Sequence, residues 1–364
     1  MSRYDFERIK AKLKFSKSKD KDDNDKGWRI RAILEIFRTN IQSYGYFQTA
    51  LSVDETMVKS YARTSLKQFI RGKPIRFGLK FWALCTQNGF LLDLDLYCGK
   101  NSSVGDILPK CTLGTRVVML LLKNFFSNTS PRKISEYHLY FDNFFTSFDL
   151  ILHLSKLGLR STGTIRENRV REKNIIDKNA PRGTYVAKHD KNSRINYITM
   201  IDSKQVSIAS TAAGVNPLMP LNRYKAEQRS KVEIPFPKVF HVYNKFMGGV
   251  DLHDGHCNNV LPSIRSKRWT WVVFVKLIQS AITNATVLFN SAHMEENKIG
   301  TKEFVLAIAK HYIGNASLKV GQPHKTVNKD KQKKCSTKHC VIRTYKFCRN
   351  CEKYFCKQCF SQFH

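Results

Sequence analysis

Acid is scarce in this chain of 364 residues: 29 Asp and Glu stand against 62 Lys and Arg, a net charge of +33. Such a surplus repels itself in a compact state, so a polyanionic partner is expected, with DNA, RNA or an anionic membrane surface as candidates. Long apolar runs are scarce too. The best stretch, Trp269 to Ile278, is broken by Lys276, and a spanning segment needs about 18 apolar residues or more. No membrane partner is therefore expected. The opening MSRYDFERIKAKLKF lacks the apolar centre of a signal peptide, which makes a soluble intracellular protein the expectation. Cysteine is thinly spread over most of the chain. Cys85, Cys98, Cys111 and Cys257 are scattered like small buried hydrophobes, whereas six more crowd between Cys335 and Cys359.

What is present suffices for folding. Hydrophobic residues make up 42% and aromatics 12%, which excludes a disordered chain, and the length accommodates two or three domains. Residues 1–50 read as helix, polar loop, helix, from the apolar spacing of Tyr4 to Phe15 and Trp28 to Tyr44 around a Lys/Asp run. Residues 51–165 form the first part of an α/β core. Ala50 to Met57, Gly78 to Thr86 and Phe90 to Cys98 carry strand patterns, the last two flanking an Asn88-Gly89 hairpin signal. A helix over Val104 to Phe126, a strand over Glu136 to Phe141, a helix over Ser147 to Leu157 and a strand over Arg160 to Ile165 follow. Residues 166–240 are rich in Lys, Arg and Asn and read as a β-rich insertion. Residues 241–316 are the helical second part of the core, with Phe274, Ile278, Ala281, Ala285 and Leu288 on one stripe of a long helix. A basic linker over 317–334 leads to a cysteine-rich module over 335–364.

Three acidic residues stand at the ends of expected elements: Asp54 in LSVDE, Asp142 in YFDN, and Asp251 in GGVDLHD. Strand parity turns Asp54 and Asp142 away from the apolar sides of their strands. Asp254, three residues past Asp251, shares its helical face. Carboxylates are hard oxygen ligands suited to Mg²⁺ or Mn²⁺, and paired ions of this kind serve phosphodiester chemistry. An Asp at a strand end is also a common turn former or helix cap, so residue type alone leaves both readings open.

Arg166, Arg169 and Arg171 begin a basic run, and Arg265, Lys267 and Arg268 precede Trp269. Lys and Arg neutralise phosphates. Trp269 either stacks on an unpaired base or packs the start of its helix. In the tail, Cys335-x4-Cys340, Cys348-x2-Cys351, Cys356-x2-Cys359 and His364 offer seven ligands for one or two Zn²⁺, with His339 or His324 as an eighth. In a reducing compartment such a cluster binds metal rather than forming disulfides. Which residues share which ion is open from spacing.

The words MSRYDFERI, SVDETM, KQF-x-x-GKPIRFGLK, YCGK, YFDNFFTS, GTIRENR, NKFMGGVDLHD and IRSKRW occur in the order and spacing of the piggyBac transposase family. The chain resembles that family from residue 1 to about residue 290 and again in the tail. The resemblance implies an RNase H-like fold with a DDD triad at Asp54, Asp142 and Asp251, Asp254 as an accessory acid, and Mg²⁺ or Mn²⁺ as cofactor. It further implies nuclear cut-and-paste DNA transposition at TTAA targets, with double-stranded transposon ends and target DNA as partners of a homodimer. RSKRW would lie on that DNA, and the tail would be a cross-braced zinc finger recognising the transposon end. Two local departures stand out: KSYAR (Lys59 to Arg63) where the family carries Pro-Phe and Gly-Arg, and Leu261-Pro262 where it carries Tyr-Arg. The chain also opens near the end of the family's helical DNA-binding and dimerisation segment. These departures fit a truncated copy, and the alternative they raise is a domesticated or decayed DNA-binding protein without catalysis.

Overall fold

Ser2 accepts the backbone N–H of Asp5 and starts helix α1 (Arg3–Lys12), and α2 (Trp28–Ser43) follows. In the computed structural model the described residues are 2–44, 48–99, 111–127, 131–177, 179–225, 229–260, 265–315, 326–337, 340–349 and 351–363. They fall into two units, Met1–Thr301 and Lys302–His364.

The first unit is built on a nine-stranded mixed sheet. Its strands are β1 (Ala50–Lys59), β2 (Lys67–Phe69), β3 (Phe77–Thr86), β4 (Leu91–Leu96), β5 (His138–Phe141), β6 (Arg160–Thr164), β7 (Tyr185–Asp190), β8 (Ile195–Ile201) and β9 (Gln205–Ser210), in the order β2-β3-β1-β5-β6-β9-β8-β7, with β4 also on β3. The β1–β5 and β5–β6 pairs are parallel and the others antiparallel. The β3–β4 hairpin turns at Gly89, whose φ of 81° suits glycine. Of the stretch read as a β-rich insertion, β7 to β9 extend the main sheet through β6–β9, while β10 (Met219–Lys225) and β11 (Ser230–Phe236) form a separate ribbon.

Helices cover both faces. Leu51, Val53, Leu139 and Phe141 from β1 and β5 are fully buried with residues of α3 (Leu113–Phe126) and α5 (Phe148–Lys156); the short α4 (Pro131–Ile134) lies between these two helices in sequence. Of the helix expected over 104–126, residues 104–110 lie outside the described residues. On the other side Phe81, Ala83 and Cys85 of β3 pack with α2 and with Val250, Val273 and Leu277 of α7 (Gly249–Val260) and α8 (Trp269–Ala292). Burying each such side chain is worth about 1.5–3 kcal/mol. α6 (Lys238–Phe246) precedes α7. The alternating Asp93 and Asp95 of β4 face α2: Arg38 Nε donates to Asp93 at 2.7 Å and Arg31 Nη1 to Asp95 at 2.6 Å. These pairs bind α2 to the sheet.

The long helix α8 turns a different face inward from the one its apolar stripe implies. Ile278 and Ala281 are exposed, and the inward residues include Lys276, Ser280, Thr283 and Asn284. Each inner polar group has a partner. Asn284 both accepts the N–H and donates to the carbonyl of Leu91 at 2.8 Å, satisfying the start of β4. By length and composition α8 could cross a membrane, but this inner face belongs to a core helix.

In the second unit, α9 (Thr301–Asn315) precedes a three-stranded sheet of β12 (Thr326–Lys334), β13 (Arg343–Cys348) and β14 (Lys353–Tyr354), then α10 (Lys357–Phe363). The expected basic linker is thus strand over residues 326–334. Its lysines line an outer strand, where they discourage pairing with other chains.

Candidate functional site

The β1–β5 register sets the first two carboxylates side by side. Val53 pairs with Phe141 in parallel, so Asp54 and Asp142 each follow a paired residue on adjacent strands, about 4.8 Å apart in backbone spacing. Their parity opposes the buried Val53 and Phe141. Asp142 is fixed by the loop it begins: its Oδ1 accepts the Phe144 N–H at 2.8 Å.

Helix α7 delivers the third. A Cβ on Gly249 would lie 2.3 Å from the Thr86 carbonyl oxygen and 2.6 Å from Ser52 Oγ, so only glycine lets the helix start descend onto β1 and β3. Further along, Thr56 Oγ1 donates to Asp254 at 2.6 Å. The helix therefore passes Ser52 at one end and Thr56 at the other, and Asp251, exposed in its first turn, is felt by the Lys73 ammonium. His253 locks this pose, bonding the Gly89 carbonyl and Ser280 Oγ, each at 2.9 Å.

Two lysines complete the site. Lys73 Nζ is 3.5 Å from Glu55 and Lys80 Nζ is 3.9 Å from the same carboxylate. Burial works against the Lys73 ammonium, yet Asp54, Glu55 and Asp251 together hold it more firmly protonated than usual. Lys80 sits 4.0 Å from the Trp82 ring centroid, and burial makes its proton easier to lose. The Asp54 carboxyl is pushed up to about 7 by burial, with Glu55 and Asp142 adding to the effect against Lys73. Burial and Glu55 also raise Asp142, opposed by its backbone hydrogen bonds. Asp54 and Asp142 thus act on each other, and Lys73 acts on Asp54, Asp142 and Asp251; among the described residues, though, the three carboxylates do not come within 4.8 Å of one another as the cysteine sulfurs do.

Asp254 is differently engaged. Its Oδ1 accepts from Thr56 and, at 3.0 Å, from the buried Lys276 ammonium. Burial opposes the charge on Lys276, but Asp254 raises its hold on the proton.

The expected DNA-facing residues divide. Arg166 Nε donates to Asn143 at 2.8 Å, and Arg169 Nη1 donates to the carbonyls of Asn143, Phe144 and Thr146 at 2.7, 3.2 and 2.8 Å. Arg169 thereby braces the loop after Asp142. Arg171 is exposed on a cleft of about 860 Å³ shared with Lys188 and His189. Arg268 binds the end of α1 through the carbonyls of Lys10 (2.6 Å) and Leu13. Trp269 packs on the core and also borders a cleft of about 400 Å³ with Lys14, Lys17 and Arg29. Arg265 and Lys267 are exposed.

In the second unit the sulfurs of Cys335, Cys340, Cys356 and Cys359 lie within 4.8 Å of one another. That spacing and donor set fit tetrahedral Zn²⁺, whose bonds to sulfur are about 2.3 Å. Hydrogen bonds from Thr337 and Cys356, working against burial, bring the Cys335 thiol down to about 6, toward the thiolate a metal needs. The first and third pairs therefore meet, and Cys348 and Cys351 are not part of that group. His324, His339 and His364 lie outside the described residues.

Glu55, Lys73, Lys80 and Lys276 escape sequence reasoning. The first three stand inside the words SVDETM and GKPIRFGLK, where neighbouring motifs were the available signal; Lys276 gives none, since only folding brings it to Asp254.

The family described as Transposase IS4 matches residues 1–286. The human PiggyBac transposable element-derived protein 3 is 31% identical over 317 residues, covering 86% of this chain and 52% of that protein. PiggyBac transposable element-derived protein 2, also human, is 27% identical over 284 residues, 77% of this chain and 47% of that protein. The chain thus spans about half the length of the curated relatives it matches. Among solved structures, a piggyBac transposase synaptic complex with hairpin DNA superposes with a TM-score of 0.64 over 98% of this chain and 78% of that one, at 17% identity, a likeness of fold.

Proposed function

The chain belongs to the piggyBac-type transposase family, and from that premise we propose that it cleaves and joins DNA strands at an RNase H-like site carried by Asp54, Asp142 and Asp251. The observation that supports this most is the β1–β5 register, which sets Asp54 and Asp142 side by side, with the glycine-started helix α7 packed on β1. Divalent Mg²⁺ or Mn²⁺ held there would stabilise charge on the attacking and leaving oxygens of a phosphodiester. The protein's own part is placement. Asp54 and Asp142 follow paired residues on adjacent strands, Asp251 would close the site from α7, and Lys73 offsets the repulsion among the carboxylates. The Asp254–Lys276 pair fixes the helix that carries Asp251. Arg166 and Arg169 steady the loop that follows Asp142. No covalent protein nucleophile is assigned, because hydrolysis and transesterification need only water or a DNA 3′-hydroxyl as attacking group.

The partners of this reading are double-stranded transposon ends and a TTAA-type target, bound in the nucleus by a homodimer. The +33 charge supports a polyanionic partner. Exposed Arg171, Arg265 and Lys267 are offered as phosphate contacts, and Zn²⁺ in the cysteine module as the means of ordering an end-recognition surface.

The test is purified chain with Mg²⁺ and a labelled duplex bearing the terminal repeat of its own element, scored for nicks and hairpins. Wild type should produce both, and Asp142→Asn neither. Tight, salt-sensitive binding without any cut in Mg²⁺ or Mn²⁺ would replace this reading with that of a DNA-binding protein that has lost catalysis.

A further inference from the structure

The β2–β3 hairpin has a composition that its place in the sheet does not require. From Thr56 to Leu92 the chain carries seven basic residues and no acidic one. Within the hairpin Phe69 and Phe77 pair across the strands. Their ring centroids are 4.7 Å apart, and they are 56% and 58% exposed. Lys67 stands 5.8 Å from the Phe77 ring, and Arg71 and Arg76 are exposed beside the turn. Exposed phenyl rings at a sheet edge invite association, so this pair is placed to be covered by something.

Two observations say what covers it. Lys73 and Lys80 share Glu55, but no ion pair among the described residues engages Lys67, Arg71 or Arg76, and these cations select an anionic partner over an ordinary protein surface. The hairpin is also anchored in the carboxylate site: from its turn, Lys73 reaches Glu55 at 3.5 Å. Phe77 follows Lys73 by four residues, at most about 14 Å along the chain. Anything seated on the rings therefore lies within a few nucleotides' reach of the carboxylates. Flat faces that stack on phenyl rings and are strung on a backbone with phosphates at short intervals are the bases of a nucleic acid. Inside a duplex those faces are already stacked, so the partner must be unpaired.

We propose that the β2–β3 hairpin is a stacking platform for unpaired bases of a DNA strand beside the scissile phosphate, with Phe69 and Phe77 offering ring faces and Lys67, Arg71 and Arg76 holding the backbone. The identity of the strand rests on the transposase reading; the platform itself rests on the hairpin. Stacking of this kind tolerates any base and depends on the ring rather than on hydrogen bonding.

The experiment uses the full chain, Ca²⁺ in place of Mg²⁺, and a duplex with a short single-stranded 3′ tail carrying 2-aminopurine at its first unpaired position. Wild type should bind the tailed duplex more tightly than a blunt one and quench the 2-aminopurine. Phe69→Ala/Phe77→Ala should lose about tenfold or more on the tailed duplex, and its quenching, while blunt-duplex affinity changes by less than about twofold. Phe69→Trp/Phe77→Trp should restore both, which separates stacking from a folding defect. Unchanged tailed-duplex affinity in the alanine variant would overturn the proposal, as would equal losses on both duplexes. So would sedimentation showing that the variant dissociates an oligomer while its quenching persists, because the rings would then be a protein contact. Failure to nick with quenching intact would sink the reaction and leave the platform, and nicking without quenching the reverse.

Discussion

Replacing Lys276 with methionine tests whether the Asp254 clamp holds the helix that carries Asp251. The ammonium lies inside the first unit with only 5% of its side chain exposed, and Asp254 retains 20%. Methionine fills much the same space, so cavity formation adds little; the cost is the stranded carboxylate. Removing one partner of a buried pair costs about 3–5 kcal/mol. Because Asp254 keeps its Thr56 bond and some contact with water, the lower end, about 3 kcal/mol, is expected. Urea unfolding followed by far-UV circular dichroism should show a lower midpoint with an unchanged slope. Adding Asp254→Asn keeps the acceptor for Thr56 and removes the orphan charge. The double variant should therefore regain most of the loss, with a coupling energy of about 2 kcal/mol between the sites. A loss below about 1 kcal/mol in Lys276→Met, the value of an exposed pair, would refute the clamp. So would additive behaviour in the double variant.

Other outcomes follow from the same geometry. The Asp54 carboxyl, raised to about 7 in the folded chain, starts from about 3.9 in the unfolded one; its contribution to stability is full below about pH 4 and is lost as pH rises through 7. In chelator, the urea midpoint of wild type should therefore fall more between pH 5 and pH 8 than that of Asp54→Asn, and equal slopes would contradict the assignment. Added Mg²⁺ should bind more tightly as pH rises to about 7, since the ion displaces the proton. Arg169→Ala should cost about 1.5–3 kcal/mol of stability and leave the salt dependence of DNA binding unchanged; a slope smaller by about one would mark Arg169 as a phosphate contact instead. Cys335→Ser or Cys356→Ser should lower the zinc found per chain by metal analysis, and a count unchanged in both would remove the four-cysteine site.

The strands were legible because Leu51, Val53, Leu139 and Phe141 alternate with polar residues, and a period of two has few rival explanations. The same parity put Asp54 and Asp142 on the open side, and Gly248-Gly249 signalled a helix start. What was hidden depends on distant pairing. The inner face of α8 is polar because Lys276, Ser280 and Asn284 find partners at Asp254, His253 and Leu91, and no local pattern announces those partners. Charge also carries no direction: Arg169 and Arg268 look like DNA contacts in sequence, yet both bind backbone carbonyls. Lysine-rich β12 reads as linker because lysine is a poor strand former, and only its pairing with β13 makes it one.

Helix α1 buries none of its own residues. It is held by Arg268 at its end, by Phe6 on Trp271 and, just beyond, by Phe15 on Phe274. Such an attachment should open far more readily than the sheet beneath it, so α1 amides should exchange with solvent early while β1 and β5 stay protected. Opening bares Trp271 and Phe274 beside the already exposed Ile278. A fragment starting after Phe15 would therefore carry a sticky strip along α8 from the moment it is made, and its solubility would suffer before its fold did.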